Sequence, residues 1–210
     1  MINLELELYN AVKDLSWNFV GILDTNKKLH PIPKNLNFQA LFEKLVFERI
    51  SILKNKYNID VIDPNNIRAY PDMILKGGAL GKDIVAVDVK TGRRRGNRTG
   101  FTLGSYAGYF KNPDKKCSGC VRPYNDFSKH IAICFIYDWN PEADTLKMIS
   151  NIKIIVHEKW KLASKSTGTG TTTAIGSVND IDKLIKGEGT FKSKEEFLEY
   201  WKNYNRNKST

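Results

Sequence analysis

The chain has 210 residues, 41% of them hydrophobic, enough to bury one substantial core or a core with a small subdomain. Lysine plus arginine outnumber aspartate plus glutamate by 33 to 23, and this net charge of +10 suits a polyanionic partner or an acidic membrane surface. No run approaches the roughly eighteen apolar residues of a membrane span, and the acidic start MINLELELYNAVKDLSWNF lacks the basic stretch and cleavage site of a leader, so a soluble, cytoplasmic protein is expected.

The segment NLELELYNAVKDLS reads as a first helix with Leu4, Leu6, Leu8, Val12 and Leu15 apolar. WNFVGILDT and KLHPIP read as two short strands around the turn DTNKK. A long helix follows in NFQALFEKLVFERISILKNKY, with Leu41, Phe42, Leu45, Phe47, Ile50 and Leu53 on a broad apolar face. DPNNIR breaks the chain before two strands, PDMIL and DIVAVDVK, and TGRRRGNRTG turns it after them. FTLGSYAGYF is ambiguous because its glycines weaken either assignment, whereas YNDFSKH reads as a helical turn and IAICFIYDW as a buried strand. MISNIKIIVHEKW supplies another strand region, and SKSTGTGTTTAIGS, filled with glycine and small polar residues, is expected to be irregular. SKEEFLEYW is a helix opened by a capping box from Ser193 to Glu196, with Phe197, Leu198, Trp201 and Tyr204 on one side. Strands mixed with helices, without regular βα alternation, indicate an α+β fold with a mixed sheet. Cys117 and Cys120 form a C-x-x-C, but an odd cysteine count argues against a disulfide framework, and no second pair is present to complete a zinc site. A solvated loop is expected there.

The informative stretch is AYPDMILKGGALGKDIVAVDVKTGRRR. Residues two apart on a strand share a face, so Ile84, Ala86, Asp88 and Lys90 lie on one side and Val85, Val87 and Val89 on the other. An antiparallel pairing of the two strands brings Asp72, at the start of the first, beside Asp88 and Lys90 at the end of the second. Two carboxylates held together repel unless a cation sits between them, and hard oxygen ligands select Mg²⁺ over zinc. Asp72 and Asp88 are therefore candidate metal ligands, and Lys90 a candidate to position an attacking water and neutralise charge at phosphorus. Glu43, lying on helical spacing with Leu36, Phe47 and Ile50, is a candidate inward carboxylate. The bare pattern also fits a turn at Asp72, an ordinary ion pair between Asp88 and Lys90, and a rim glutamate.

The motifs YPD, AVDVKT, FTLGSY, KW, GTGTTTAIGS, KGEGTF and EEFLEYWKNY occur in order across nearly the whole chain. In this they resemble the EcoRV-type restriction endonucleases, type II enzymes of the PD-(D/E)xK class. The resemblance implies a restriction-endonuclease-like fold, a central mixed β-sheet flanked by helices, in a single domain over residues 1–210. It further implies a dimerisation part near residues 17–57 and a DNA-recognition loop near 165–174. The implied activity is Mg²⁺-dependent double-strand cleavage of a six-base-pair palindrome, GATATC with blunt ends, by metal-activated water in a homodimer that clasps and bends duplex DNA.

Asp72, Asp88 and Lys90 fall on the family's catalytic positions, with Glu43 on its auxiliary acidic position. Asp72, Asp88 and Glu43 are the implied metal ligands. Gly168, Thr169, Gly170, Thr171, Thr172 and Thr173 resemble the loop that enters the major groove, where glycine admits backbone approach and threonine offers a hydroxyl and a methyl. Before YPD the family carries glutamines and an asparagine near the minor groove, where this chain has Asn66, Ile67 and Arg68, and arginine there suits a narrow electronegative groove. Thr91 matches a phosphate-contacting position of the family, Thr102 is a further candidate DNA contact, and Arg93 and Arg94 in RRRGNR are candidate phosphate anchors in compensation for Gly92. The sequence departs from the family at Thr171 and Ala174, where asparagines are usual, and at Gly92, which replaces the second of two threonines. A catalytically inactive or non-specific DNA-binding protein of the same fold is the alternative.

Overall fold

The computed structural model describes residues 2–64, 70–168 and 173–205. Helix α1, Leu4–Val12, is capped by Asn3, whose side chain accepts from the Leu6 amide, and buries Leu4, Leu8 and Val12 at every fourth position. Leu6, expected on that apolar face, is instead 51% exposed because it points away from the buried stripe. The two short strands form a separate ribbon, β1 at Ile22–Leu23 and β2 at Leu29–His30.

The expected long helix is two. Helix α2, Phe38–Ile50, buries Phe38, Phe42, Val46 and Ile50, and α3, Ile52–Tyr57, follows it. The break falls at Ser51, whose hydroxyl donates back to the Phe47 carbonyl at 2.8 Å.

The remaining elements are β3 at Asp60–Ile62, β4 at Met73–Lys76, β5 at Ile84–Arg93, β6 at Thr102–Ser105 and α4 at Tyr106–Tyr109. They continue with β7 at Lys129–Trp139, β8 at Ile149–Glu158, β9 at Ala163–Thr167, β10 at Ala174–Ser177, α5 at Ile181–Lys186 and α6 at Lys194–Lys202. The ambiguous FTLGSYAGYF thus resolves into a strand and a helical turn; within the strand Gly104 has φ +104°, and a Cβ there would run into the Tyr109 ring.

A five-stranded sheet in the order β3-β4-β5-β7-β8 forms the centre; β5 and β7 are parallel and the other neighbours antiparallel. This is the α+β, restriction-endonuclease-like architecture with a mixed sheet and flanking helices. The alternation read from DIVAVDVK separates two cores. Val85, Val87 and Val89 pack with the α1 and α2 residues, while Ala86 faces Phe101, Leu103, Ile175 and the α5 and α6 residues.

On that second face β6, β10 and β9 make a smaller antiparallel sheet. The tract expected to be irregular therefore contributes two strands. Backbone hydrogen bonding, extended by Gly168 donating to the Ala174 carbonyl at 2.9 Å, orders small side chains that bury little apolar surface themselves. Of the expected capping box, Ser193 accepts from the Glu196 amide, while the Glu196 carboxylate reaches one residue further back and accepts from the Lys192 amide; α6 buries Phe197 and Trp201.

The C-x-x-C segment also differs from expectation. Cys117 and Cys120 are paired as a disulfide, and Cys120 is buried. The same turn braces the entry to β4, because the Tyr70 amide donates to the Gly119 carbonyl and the Val121 amide to the Tyr70 carbonyl.

Candidate active site

The β4–β5 hairpin has the register Met73↔Val87, which extended by one residue sets Asp72 across from Asp88. Asp72 follows the cis Tyr70–Pro71 bond and accepts from the Val89 amide at 2.6 Å, so its carboxylate is tied to the neighbouring strand. Asp88, only 3% exposed, is held between two ammonium groups. Lys90 donates to its Oδ1 at 2.7 Å and Lys159 lies 2.7 Å from its Oδ2. Asp72, Asp88 and Lys90 are thus together at one end of a rigid hairpin.

The charges separate the two carboxyls. Burial and the neighbouring Asp88 push Asp72 well above the usual carboxylate range, more than Lys90 can offset. Burial acts in the same direction on Asp88, but Lys159 and Lys90 overcome it and hold Asp88 below that range. Two carboxyls this close do not readily carry two full charges, so the pair favours holding a proton between them.

A divalent cation can replace that proton, and the donors are hard oxygens. The adjacent Cys134, paired with Lys90 across β5 and β7, is kept as a thiol by burial and offers no soft ligand. The residues therefore fit a hard cation such as Mg²⁺. Among the described residues no group of three or more potential ligands gathers. Glu43, partly buried on α2, is near enough for its charge to raise Asp72, yet its carboxylate accepts from the Gln39 side chain at 2.7 Å and stands outside the pair.

The other sequence candidates divide between regions. Gly168 lies against Thr102, whose methyl a Cβ on Gly168 would strike, and the Thr173 carbonyl accepts from the Tyr106 amide. These three candidates therefore collect on the small sheet. Thr91 and Arg93 follow Val89 at two-residue spacing and so face the α2 side, where Arg93 stacks over Trp139 at 4.5 Å. Arg94 donates to the Asn151 carbonyl at 3.0 Å and lies 3.5 Å from Asp138. Asn66, Arg68, Thr169, Gly170, Thr171 and Thr172 lie outside the described residues.

Sequence reasoning assigned no role to Lys159. It sits just past β8, 2% exposed, donating to the Leu103 carbonyl at 3.2 Å, with Nζ 3.9 Å from the centre of the Tyr70 ring. The KW motif marks its place but carries no chemical signature. The aromatic wall behind it was equally silent. Tyr70 shares a 2.6 Å hydrogen bond with His130 Nδ1, and Tyr124 stacks on the His130 ring at 3.7 Å. Burial drives His130 well below its ordinary pKa, so it remains neutral and adds no third positive charge beside Lys159.

A mixed sheet with two acids and a lysine at the end of its central hairpin is the arrangement expected of a restriction-endonuclease-like phosphodiester hydrolase. The family model described as restriction endonuclease EcoRV matches residues 13–210. The chain belongs to that family and is a restriction endonuclease, whose substrate class is DNA. The type II restriction enzyme EcoRV of Escherichia coli is 27% identical to it, over 98% of this chain and 90% of that enzyme. No helix among the described residues is long and apolar enough to cross a membrane.

Proposed function

We propose that the chain is a cytoplasmic, Mg²⁺-dependent, site-specific endonuclease that acts as a homodimer and cuts both strands of a six-base-pair palindrome, GATATC, to blunt ends. The observation that carries this reading is the Asp72–Asp88 pair with Lys90 against it, in a chain of the EcoRV family. Asp72 and Asp88 hold the cation, with Glu43 as an auxiliary carboxylate. The cation supplies Lewis-acid polarisation of the phosphodiester and acidifies water. Lys90 holds the attacking water and offsets charge developing on the phosphoryl oxygens. Hydrogen bonding of Asp72 to the Val89 amide keeps its carboxylate from rotating as the charges change.

Residues 165–174 form the recognition element, with Gly168–Thr173 and Thr102 at the major groove. Asn66 and Arg68 serve the minor groove, and Thr91, Arg93 and Arg94 meet phosphates. A palindrome calls for a two-fold partner. Residues 17–57 are the dimerisation part, a reading supported by Val20, Ile22, Leu23 and Leu29, which leave the β1–β2 ribbon with an exposed apolar surface. The flexible TA step at the centre of GATATC suits an enzyme that bends its site.

Incubating plasmid with purified protein and Mg²⁺ tests the proposal. Discrete fragments support it. Intact plasmid points to a catalytically inactive DNA-binding protein, and a smear to a non-specific nuclease.

A further inference from the structure

The proposed cation site has a positive charge already in it. Lys159 Nζ lies 2.7 Å from Asp88 Oδ2, while Lys90 takes Oδ1 at 2.7 Å, so both oxygens of the carboxylate are engaged. Lys159 is 2% exposed, and its position is fixed from three sides by Asp88, the Leu103 carbonyl at 3.2 Å and the face of Tyr70 at 3.9 Å. A buried ammonium is costly unless paired, and Asp88 supplies the pairing. Lys90 already provides the lysine expected of the catalytic set, which leaves Lys159 surplus to it.

We propose that Lys159 is a built-in counter-cation that competes with the divalent ion for Asp88 Oδ2, so that loading the site requires its ammonium to withdraw. This rests on the reading of Asp72 and Asp88 as the cation site. Lys159 acts through Asp88 and is a positioning residue. In the metal-free protein it fills the place of the cation and fixes the orientation of the buried Asp88 carboxylate; its cost is a weaker hold on the metal. The Leu103 carbonyl gives the ammonium a second acceptor beside the carboxylate, so withdrawal need not leave it without a hydrogen bond.

The test is Mn²⁺ binding to the DNA-free protein, followed by electron paramagnetic resonance, in wild type and in Lys159→Met, which keeps the length of the side chain and removes its charge. The inference predicts binding about tenfold tighter or more in the variant, the opposite of what damage to the site would do. Equal or weaker binding by the folded variant overturns it. Wild-type protein labelled with ¹⁵N at lysine Nζ gives the same answer without a substitution. Saturating Mg²⁺ should shift the Lys159 ammonium resonance, and a resonance that stays in place overturns the inference even if the variant does not fold. Absence of Mg²⁺ and Mn²⁺ binding in both proteins would instead remove the cation site itself, and this inference with it.

Discussion

Asp88 is buried between two ammonium groups, and that setting decides which substitution is informative. Asp88→Ala leaves Lys90 and Lys159 facing each other without a counter-charge, at a cost of about 3–5 kcal/mol. Asp88→Asn keeps the shape and an acceptor oxygen. It is expected to stay folded by circular dichroism while cleaving plasmid about 10³-fold more slowly or worse; a folded variant that cuts at the wild-type rate would remove Asp88 from the site. The three central residues were legible in the sequence because their convergence needs only strand alternation and a hairpin. Lys159 was not. It reaches Asp88 through two strand pairings, β5 with β7 and β7 with β8, and a turn after the last of these. None of those registers can be read from the residues around it.

Helix α1 is fixed to the sheet by a charged contact as well as by Leu4, Leu8 and Val12. Glu5 accepts from Lys161 at 2.9 Å and lies 3.4 Å from His157. Burial alone would raise its carboxyl, but the bonds from His157 and Lys161 prevail and lower it from 4.5 to about 2. A carboxyl whose pKa is lower in the folded chain adds stability that is complete above about 4.5 and disappears as pH falls through about 2. Glu5→Gln should therefore lower stability at neutral pH by about 1–2 kcal/mol, discounted for partial exposure. It should also flatten the loss of stability between pH 4.5 and 2 in urea titrations. An unchanged acid limb would show that the contact is not formed in solution.

The same scale shows where patterns in the sequence mislead. The periodicity of α2 and α3 is continuous, and only the back-bonding of Ser51 divides them. The strands β9 and β10 have no apolar alternation to announce them, because their order comes from pairing with each other and with β6.

At the scale of the molecule, the net charge of +10 suits the DNA substrate, and the exposed apolar ribbon is the surface assigned to a second copy under the proposed function. Leu23, 64% exposed on β1, is a direct probe of that surface. If the proposed dimer forms through this ribbon, wild-type protein sediments as a dimer and Leu23→Asp as a monomer, since an apolar interface cannot bury an unpaired carboxylate. A variant that still sediments as a dimer would place the interface elsewhere. The family and its fold were legible in motifs spread along the chain, whereas the proposed recognition loop departs from the family at Thr171, so the sequence leaves the bases it would contact open. The proposed activity is tested most directly by digesting DNA with the wild-type enzyme in Mg²⁺ and sequencing every fragment end. It predicts blunt ends at the centre of one six-base-pair palindrome, with none produced in EDTA and about 10³-fold slower production or worse by Asp88→Asn. Ends scattered over unrelated sequences, or cutting that persists without a divalent ion, would contradict it.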